Sequence, residues 1–427
     1  MKLKHRFLWV NVCGLIYASI SFFIAQSWIY DLSVTLNSYF LALLIVMFIA
    51  IIPGYLNIML LASIYFYHYE AVRMKLSDYP PISLMIAVYN EEDAIRETFR
   101  GIRIQEYPNT VEVIVIDDGS TDSTIEQLNK LNFPNLKIVK ANHGGKANAL
   151  NEGIKHCSHE IIVTIDADTF LYNHALKRIV ARIMSNDRFA AVAGHVLVKN
   201  ERMSRLARLQ SWDYMLGISA VKRQQGLFEG TLVAQGAFSA FRKKVLLEQN
   251  GWRDRIGEDI VLTWALIKEG HLIGYEPAAI AFTSVPLDYD RFSRQRQRWA
   301  RGMIEGFRDH INLIWKRRNY SSFFIALNLF FPTIDFFYTF VFIPGIILAI
   351  FGYYYIVGLT TLLVIPINIC IILAMINSQK RFLRYAGVRM RDNPVGMVLY
   401  IILYQFITSP ICALGYFKEI FRLKRKW

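Results

Sequence analysis

Ile161-Ile162-Val163-Thr164-Ile165-Asp166-Ala167-Asp168 is a run of mostly β-branched apolar residues that ends in two carboxylates one residue apart. A short, continuous apolar run of this kind reads as a strand buried on both faces. Side chains alternate along an extended chain, so the two acids of Asp166-x-Asp168 share one side of it. Upstream, Ile82–Val88 follows Pro80-Pro81 and ends in Tyr89-Asn90-Glu91, and Val111–Ile116 ends in Asp117-Asp118-Gly119-Ser120. Leu136–Lys140 is a further strand, and helical spacing over 91–105, 121–131 and 147–156 separates these runs, with Ile95, Phe99 and Ile102 on one face of the first. Strand, helix, strand at this cadence implies right-handed crossovers and an α/β domain with a mostly parallel sheet. Ligands bind such sheets beyond the carboxyl ends of the strands. The polar clusters at 89–91, 117–118 and 166–168 are therefore predicted to converge on one crevice.

Outside this domain the composition changes. Of 427 residues, 54% are hydrophobic and 19% charged, with a net charge of +14. Ordinary soluble domains are about 45–50% apolar and about 25% charged, so the chain is too apolar to be disordered or held together by disulfides. Phe7–Tyr30, Leu32–Tyr67, Phe336–Gln379 and Asn393–Phe417 contain no charged residue. A bilayer core needs roughly 20 apolar residues per helix, which gives one span in each of the first two, a two-helix hairpin turning near 352–358, and one more span. Five spans result. The first has a basic start but is too long for a cleaved signal peptide and reads as an anchor. Ser321–Ile334, after Lys316-Arg317-Arg318, reads as an interfacial helix.

The expected division is therefore two membrane helices in 1–70, the α/β domain in 71–290, interfacial helices in 291–334, and three membrane helices with a basic tail in 335–427. The positive-inside rule places the amino terminus and the central domain in the cytoplasm. Lys380–Asp392 and Lys418–Trp427 are both basic yet only one apolar segment separates them. Either one end violates the rule or the last segment is re-entrant. Cys13, Cys370 and Cys412 fall in spans and Cys157 in the central domain, with neither Cys-x-x-Cys nor metal-ligand spacing. No nucleic-acid-binding motif is present and the basic clusters adjoin spans, so the charge is assigned to the membrane and not to nucleic acid.

Each cluster has a plain and a chemical reading. Asp166-x-Asp168 is either a solvated turn or a hard-oxygen site for Mg²⁺ or Mn²⁺ that bridges to phosphate, and its place after a buried strand favours the second. Asp117-Asp118-Gly119-Ser120 is an Asx turn or a nucleotide contact. His143-Gly144-Gly145-Lys146 before a helix is a turn or a diphosphate cradle; it has no P-loop spacing. Glu258-Asp259 opens a helix, as caps or as a general base. Arg291–Arg301, with five further basic or amide side chains between them, is a headgroup-facing surface or an anion site.

Asp117-Asp118, Asp166-x-Asp168, Glu258-Asp259 and Gln295-x-x-Arg298-Trp299, in that order and between spans, resemble the processive membrane glycosyltransferases of family 2. These make cellulose, hyaluronan, chitin oligosaccharides or poly-β-1,6-N-acetylglucosamine. The resemblance covers roughly 80–307 plus the flanking spans. It implies a GT-A fold, inverting chemistry, a UDP-sugar donor, a growing polysaccharide as acceptor and a divalent cation, Mg²⁺ or Mn²⁺. By the same resemblance Tyr89, Glu91, Asp117, Asp118 and Asp166 hold the nucleotide, and Lys146, Gln295 and Arg298 the diphosphate. Asp168 would ligate the metal. Asp259, with Glu258 beside it, would be the catalytic base, and Trp299 and the Gln235-Gly236 loop would meet the acceptor. Many members have Thr or Ser where this chain has Gly257. The layout is most similar to the poly-N-acetylglucosamine synthases, which implies a multi-pass plasma-membrane exopolysaccharide synthase, with a small accessory membrane subunit as a further possible partner. The alternatives are a hyaluronan-, chitin- or cellulose-type synthase, or a non-processive enzyme acting on a lipid-linked acceptor.

Overall fold

The computed structural model describes residues 2–228, 230–316, 319–390 and 393–423. The four expected strands form: β1 (Ile82–Val88), β2 (Val111–Asp117), β3 (Leu136–Lys140) and β4 (Ile161–Asp166). They pair in parallel in the order β3-β2-β1-β4. Four more strands extend the sheet past β4: β5 (Phe170–Leu171), β6 (Phe189–Val198), β7 (Phe238–Arg242) and β8 (Leu272–Thr283), giving the order β3-β2-β1-β4-β7-β6-β8-β5. Leu84, Ile86 and Val88 face one apolar core while Met85 faces the other. Both faces of the sheet are covered by helices, which is why the strands read as unbroken apolar runs.

Register decides where the chemistry falls. Val88 pairs with Asp117, and Ala87 with both Ile116 and Asp166, so the three polar clusters share one edge. β7 is antiparallel to β4, with Ile165 opposite Phe238, so Gln235-Gly236-Ala237 enters at that same edge. β7 is also antiparallel to β6, and β8 is parallel to β6, so Thr283 and Ser284 leave there too. β8 contains Pro277, which a regular central strand excludes. It is accommodated at an irregularity between Ala193 and His195, where the Pro277 carbonyl accepts a hydrogen bond from His195 Nδ1 at 2.9 Å.

Among the described residues, Leu3–Ile24, Tyr39–Tyr65, Tyr320–Ile350 and Pro394–Ile420 are long and apolar enough to cross a membrane. Ser321–Ile334 runs without a break into the following helical turns. Leu359–Tyr385 is a fifth long helix, of which the side chains at 359, 360 and 362–365 lie outside the described set. So do residues 424–427 of the basic tail and 391–392 of the cluster before the last helix.

The contacts sort the helix ends into two groups. Phe7 packs on Phe228 and Tyr320, Gln224 donates to Ser63 at 3.1 Å, and Arg223 donates to Gln379. Those ends therefore lie on the sheet domain. At the opposite ends, Trp28 Nε1 donates to the carbonyl of Ile356 at 2.8 Å, joining the Gln26–Leu36 helix to the turn at 351–358. The Pro394–Ile420 helix behaves differently. It runs alongside the Tyr289–His310 helix, with Tyr404 against Phe292, and with Glu419 taking Arg301 at 3.0 Å and Arg308 at 2.8 Å. Just before it Gly387 accepts from Tyr172 at 3.1 Å, and just after it Leu423 accepts from Arg301 at 2.9 Å. Both of its ends lie on the sheet domain's side.

Candidate active site

At the carboxyl edge of β2, Asp117 and Asp118 are both buried. Asp117 Oδ1 accepts the Ser120 amide at 2.8 Å, the Asx turn that the sequence allows. Asp118 reaches across to the loop before the Lys146–His156 helix, where its two oxygens accept the Gly144 and Gly145 amides at 2.9 Å each. His143 Nδ1 lies 2.7 Å from the Asp118 carbonyl, and the imidazole stacks on Tyr89 with ring centroids 4.7 Å apart. The result is a half-exposed aromatic surface beside a glycine loop that opens a helix.

Lys146, first residue of that helix, pairs with Asp166 at the end of β4. Burial works against its ammonium, but Asp166 and Glu258 outweigh that and raise its pKa. Gly236 presses on this pair: a β-carbon there would lie 2.5 Å from Lys146 Nζ. Gln235 itself is turned away, its side chain donating to the Gly194 carbonyl at 2.8 Å. Asp168 is held by the end of β8, accepting from Thr283 Oγ1 at 3.1 Å and the Ser284 amide at 3.2 Å, while its carbonyl takes Lys199. Burial, then Asp166, raises the pKa of Asp168. Burial, followed by the charges of Asp168 and Asp166, pushes the Glu91 carboxyl up to about 7. Glu91, Asp166 and Asp168 thus act on one another as a cluster with more negative charge than its lysines balance.

The Glu258–Glu269 helix brings in the next pair. Burial and then Asp259 push Glu258 up to about 7, against the pull of Lys146 and Arg298. Asp259 Oδ1 accepts the Ile260 amide at 2.8 Å. Arg298 arrives on the Tyr289–His310 helix, which crosses this helix start where Gly257 meets Gly302. Gln295 has a buried oxygen without a partner. Trp299 is 38% exposed, with the Arg296 guanidinium 4.2 Å from its ring centroid and Tyr214 at 6.2 Å.

Lys146, Asp166, Gly236, Glu258 and Arg298 are therefore gathered around one point, with Asp259, Trp299 and the Glu91–Asp168 cluster adjoining it. Tyr89, Asp117 and Asp118 form the neighbouring loop site, and Gln235 serves the sheet. Several supporting residues carry no motif: Thr283, Ser284 and Lys199 around Asp168, and Asp213, which holds Arg296 at 2.8 Å. Lys222, buried on the Val221–Leu227 helix, also escapes any sequence pattern. Among the described residues no three His, Cys, Asp or Glu side chains are grouped as a metal cage. The hard carboxylate oxygens of Asp166 and Asp168 at the strand edge suit a divalent cation that also takes phosphate oxygens.

A mixed α/β sheet with this edge is the GT-A-like glycosyltransferase fold. The mannosyltransferase PcManGT of Pyrobaculum calidifontis, solved with GDP-Man and Mn²⁺, has it: the alignment covers 97% of this chain and 100% of that one, at a TM-score of 0.58 and 16% identity. Residues 83–248 match the family Glycosyl transferase family 2, so this part of the chain is similar to the glycosyltransferase domains of that family. The chain is 32% identical over 267 residues to the poly-β-1,6-N-acetyl-D-glucosamine synthase of Staphylococcus aureus (strain MSSA476), covering 60% of this chain and 64% of that protein. It is 35% identical over 228 residues to the Staphylococcus epidermidis protein of the same name, covering 52% and 54%. The chain thus spans less than two thirds of the length of these relatives.

Proposed function

We propose that this protein is a processive, inverting membrane glycosyltransferase that polymerises N-acetylglucosamine from its UDP donor into a β-linked exopolysaccharide. The observation that carries the reading is the meeting of Lys146 and Arg298 with Glu258, next to Asp259, at the strand edge. Two cations suit a diphosphate leaving group, and an acid at a helix start beside them suits an acceptor hydroxyl. The names of the staphylococcal relatives supply the sugar and the polymer.

In this reading the uracil lies on the Tyr89–His143 surface and the glycine loop held by Asp118 carries N–H groups toward the diphosphate. Lys146 exchanges part of its pairing with Asp166 for phosphate oxygens, joined by Arg298 and Gln295. Asp168, with Asp166 and Glu91 behind it, would hold Mg²⁺ or Mn²⁺, which neutralises charge on the leaving diphosphate. Asp259 takes the proton from the acceptor hydroxyl as that oxygen attacks the anomeric carbon from the face opposite the diphosphate. Trp299 stacks the acceptor's terminal sugar. The Pro394–Ile420 helix lies along the membrane surface beside the Tyr289–His310 helix. The helices Leu3–Ile24, Tyr39–Tyr65, Tyr320–Ile350 and Leu359–Tyr385 cross the membrane, the catalytic domain facing the cytoplasm and the product leaving through them.

The test is transfer by the purified full-length protein. With UDP-N-acetylglucosamine and Mg²⁺ or Mn²⁺ it releases UDP and builds a product that a β-1,6-specific hexosaminidase digests. No UDP release from any of a panel of nucleotide sugars would remove the reading, and a product one sugar long would remove processivity.

A further inference from the structure

Arg296 and Arg298 stand two residues apart on the Tyr289–His310 helix, so about 200° of rotation around its axis separates them. They serve different sides. Arg298 acts with Lys146 on Glu258, and both cations are assigned above to the donor's diphosphate. Arg296 turns inward instead: it is 7% exposed, and its Nη1 is ion-paired with Asp213 Oδ2 at 2.8 Å. Trp299 is three residues from Arg296, on the same face of the helix. The guanidinium carbon of Arg296 sits over the indole, 4.2 Å from its centroid. Phe292, one turn back, and Tyr404 of the Pro394–Ile420 helix have their ring centroids 5.2 Å and 5.9 Å from the same carbon.

This is not the geometry of an arginine kept only for its ion pair. Such an arginine gains most from a fork of two parallel hydrogen bonds to the carboxylate. Here Nε and Nη2 are buried and make no hydrogen bond, because the guanidinium plane lies over rings. Asp213 ends the Arg205–Asp213 helix, and its neighbour Tyr214 packs on Trp299 with centroids 6.2 Å apart. Trp299 is therefore held by Arg296 and Tyr214, yet it stays 38% exposed.

We propose that Arg296 is a positioning residue for the acceptor: it stacks on the inner face of Trp299 and, anchored by Asp213, holds the outer face toward a pyranose ring. A planar guanidinium suits this role where an ammonium does not, since it stacks on an indole and keeps an edge N–H for a carboxylate. The two arginines thus divide the reaction, Arg298 on the donor and Arg296 behind the acceptor's platform. This rests on the reading of Trp299 as the acceptor contact.

The experiment titrates a β-1,6-linked N-acetylglucosamine oligomer into full-length protein in detergent, loaded with UDP so that no transfer occurs. Wild type, Arg296→Met, Arg296→Lys and Trp299→Ala are compared, with UDP affinity measured on each preparation. Arg296→Met weakens oligomer binding by about 5- to 30-fold, the range of a desolvated cation–π contact, and leaves UDP affinity within about twofold of wild type. Arg296→Lys, which keeps the charge but not the plane, does not restore oligomer binding. Wild-type oligomer affinity in Arg296→Met overturns the proposal. So does full recovery in Arg296→Lys, which leaves only an ion pair, and so does an equal loss of oligomer and UDP affinity, which means that the whole site has been displaced. If Arg296→Met binds no UDP, Arg296→Lys decides alone: weakened oligomer binding with UDP binding intact supports the proposal, and any other result overturns it. No oligomer binding by wild type, or wild-type affinity in Trp299→Ala, would remove Trp299 as the acceptor contact and this proposal together. Loss of binding in Trp299→Ala with none in Arg296→Met removes Arg296 only.

Discussion

Gly257 and Gly302 meet backbone to backbone: a β-carbon on Gly257 would lie 2.5 Å from the Gly302 α-carbon, and one on Gly302 would lie 2.7 Å from the Gly257 α-carbon. Gly257 begins the helix that carries Glu258 and Asp259, and its amide donates to Glu305 at 3.0 Å. Gly302 lies one helical turn beyond Arg298. The contact therefore sets the spacing between the acids and the cation that serves the donor.

Gly302→Ala drives a methyl group into backbone, which cannot rotate aside. Overpacking of this kind costs about 1–3 kcal/mol, and a displacement of about 1 Å at reacting groups costs on the order of 100-fold in rate. We expect a lower Tm and a fall in kcat of at least about tenfold. Gly257→Ser, which would add a helix-cap hydroxyl, is expected to be harmful for the same reason. A Gly302→Ala protein with wild-type Tm and kcat would show that the helices can separate without consequence.

Asp118 spends both carboxylate oxygens on Gly144 and Gly145. Charge-assisted hydrogen bonds are worth about 1.5–3 kcal/mol each. Asp118→Ala should release the glycine loop and weaken UDP binding by about 10- to 100-fold, with a smaller loss in kcat at saturating donor. Calorimetric titration with UDP reads this directly; unchanged affinity would mean that the loop does not carry the nucleotide.

Burial and then Asp259 push the Glu258 carboxyl up to about 7, while Lys146 and Arg298 pull it down. A diphosphate that occupies those cations removes the lowering influence, so the pKa of Glu258 rises further on binding. The bound state then holds more protons than the free state near pH 7. UDP binding should therefore take up protons, and affinity should fall as pH rises through about 7. Titrations in buffers of differing ionisation enthalpy measure the sign, and proton release near pH 7 would contradict this electrostatic account. Glu258→Gln should reduce the uptake.

The arrangement of the helix ends predicts four crossings. In a background lacking Cys13, Cys157, Cys370 and Cys412, single cysteines at Thr35 and Tyr354 should react with an impermeant maleimide from outside the cell. Those at Arg389 and Arg422 should react only after the membrane is opened. Labelling of Arg422→Cys from outside would restore a fifth crossing.

Much of this was readable because buried parallel strands leave unmistakable apolar runs, and β1 to β4 with their terminal Tyr89, Asp117 and Asp166 clusters are of that kind. β6 to β8 were not readable. Phe189–Val198 is rich in alanine and contains Gly194, and β8 carries Pro277, features that weaken a strand pattern although tertiary pairing accommodates them. At the site, the acids and the Gln295-x-x-Arg298-Trp299 motif could be read from spacing and resemblance. Their supports could not. Lys222, within Val221-Lys-Arg-Gln-Gln, has the composition of a solvated helix face, yet it is buried by the fold. Gly257 reads as a missing helix cap and is in fact one half of a contact with a residue 45 positions away. Glu419 and Leu423, at the start of the basic tail that an odd number of crossings places outside, are both held by Arg301 on the sheet domain's side.

The most direct test of the account is Asp259→Asn in the purified full-length protein, with UDP binding and UDP release from UDP-N-acetylglucosamine measured on the same preparation. The account predicts UDP affinity within about threefold of wild type and a turnover lower by at least about 100-fold, the general range of acid–base catalysis. Turnover close to wild type with intact UDP binding would contradict it, and the base would have to be sought elsewhere on the strand edge.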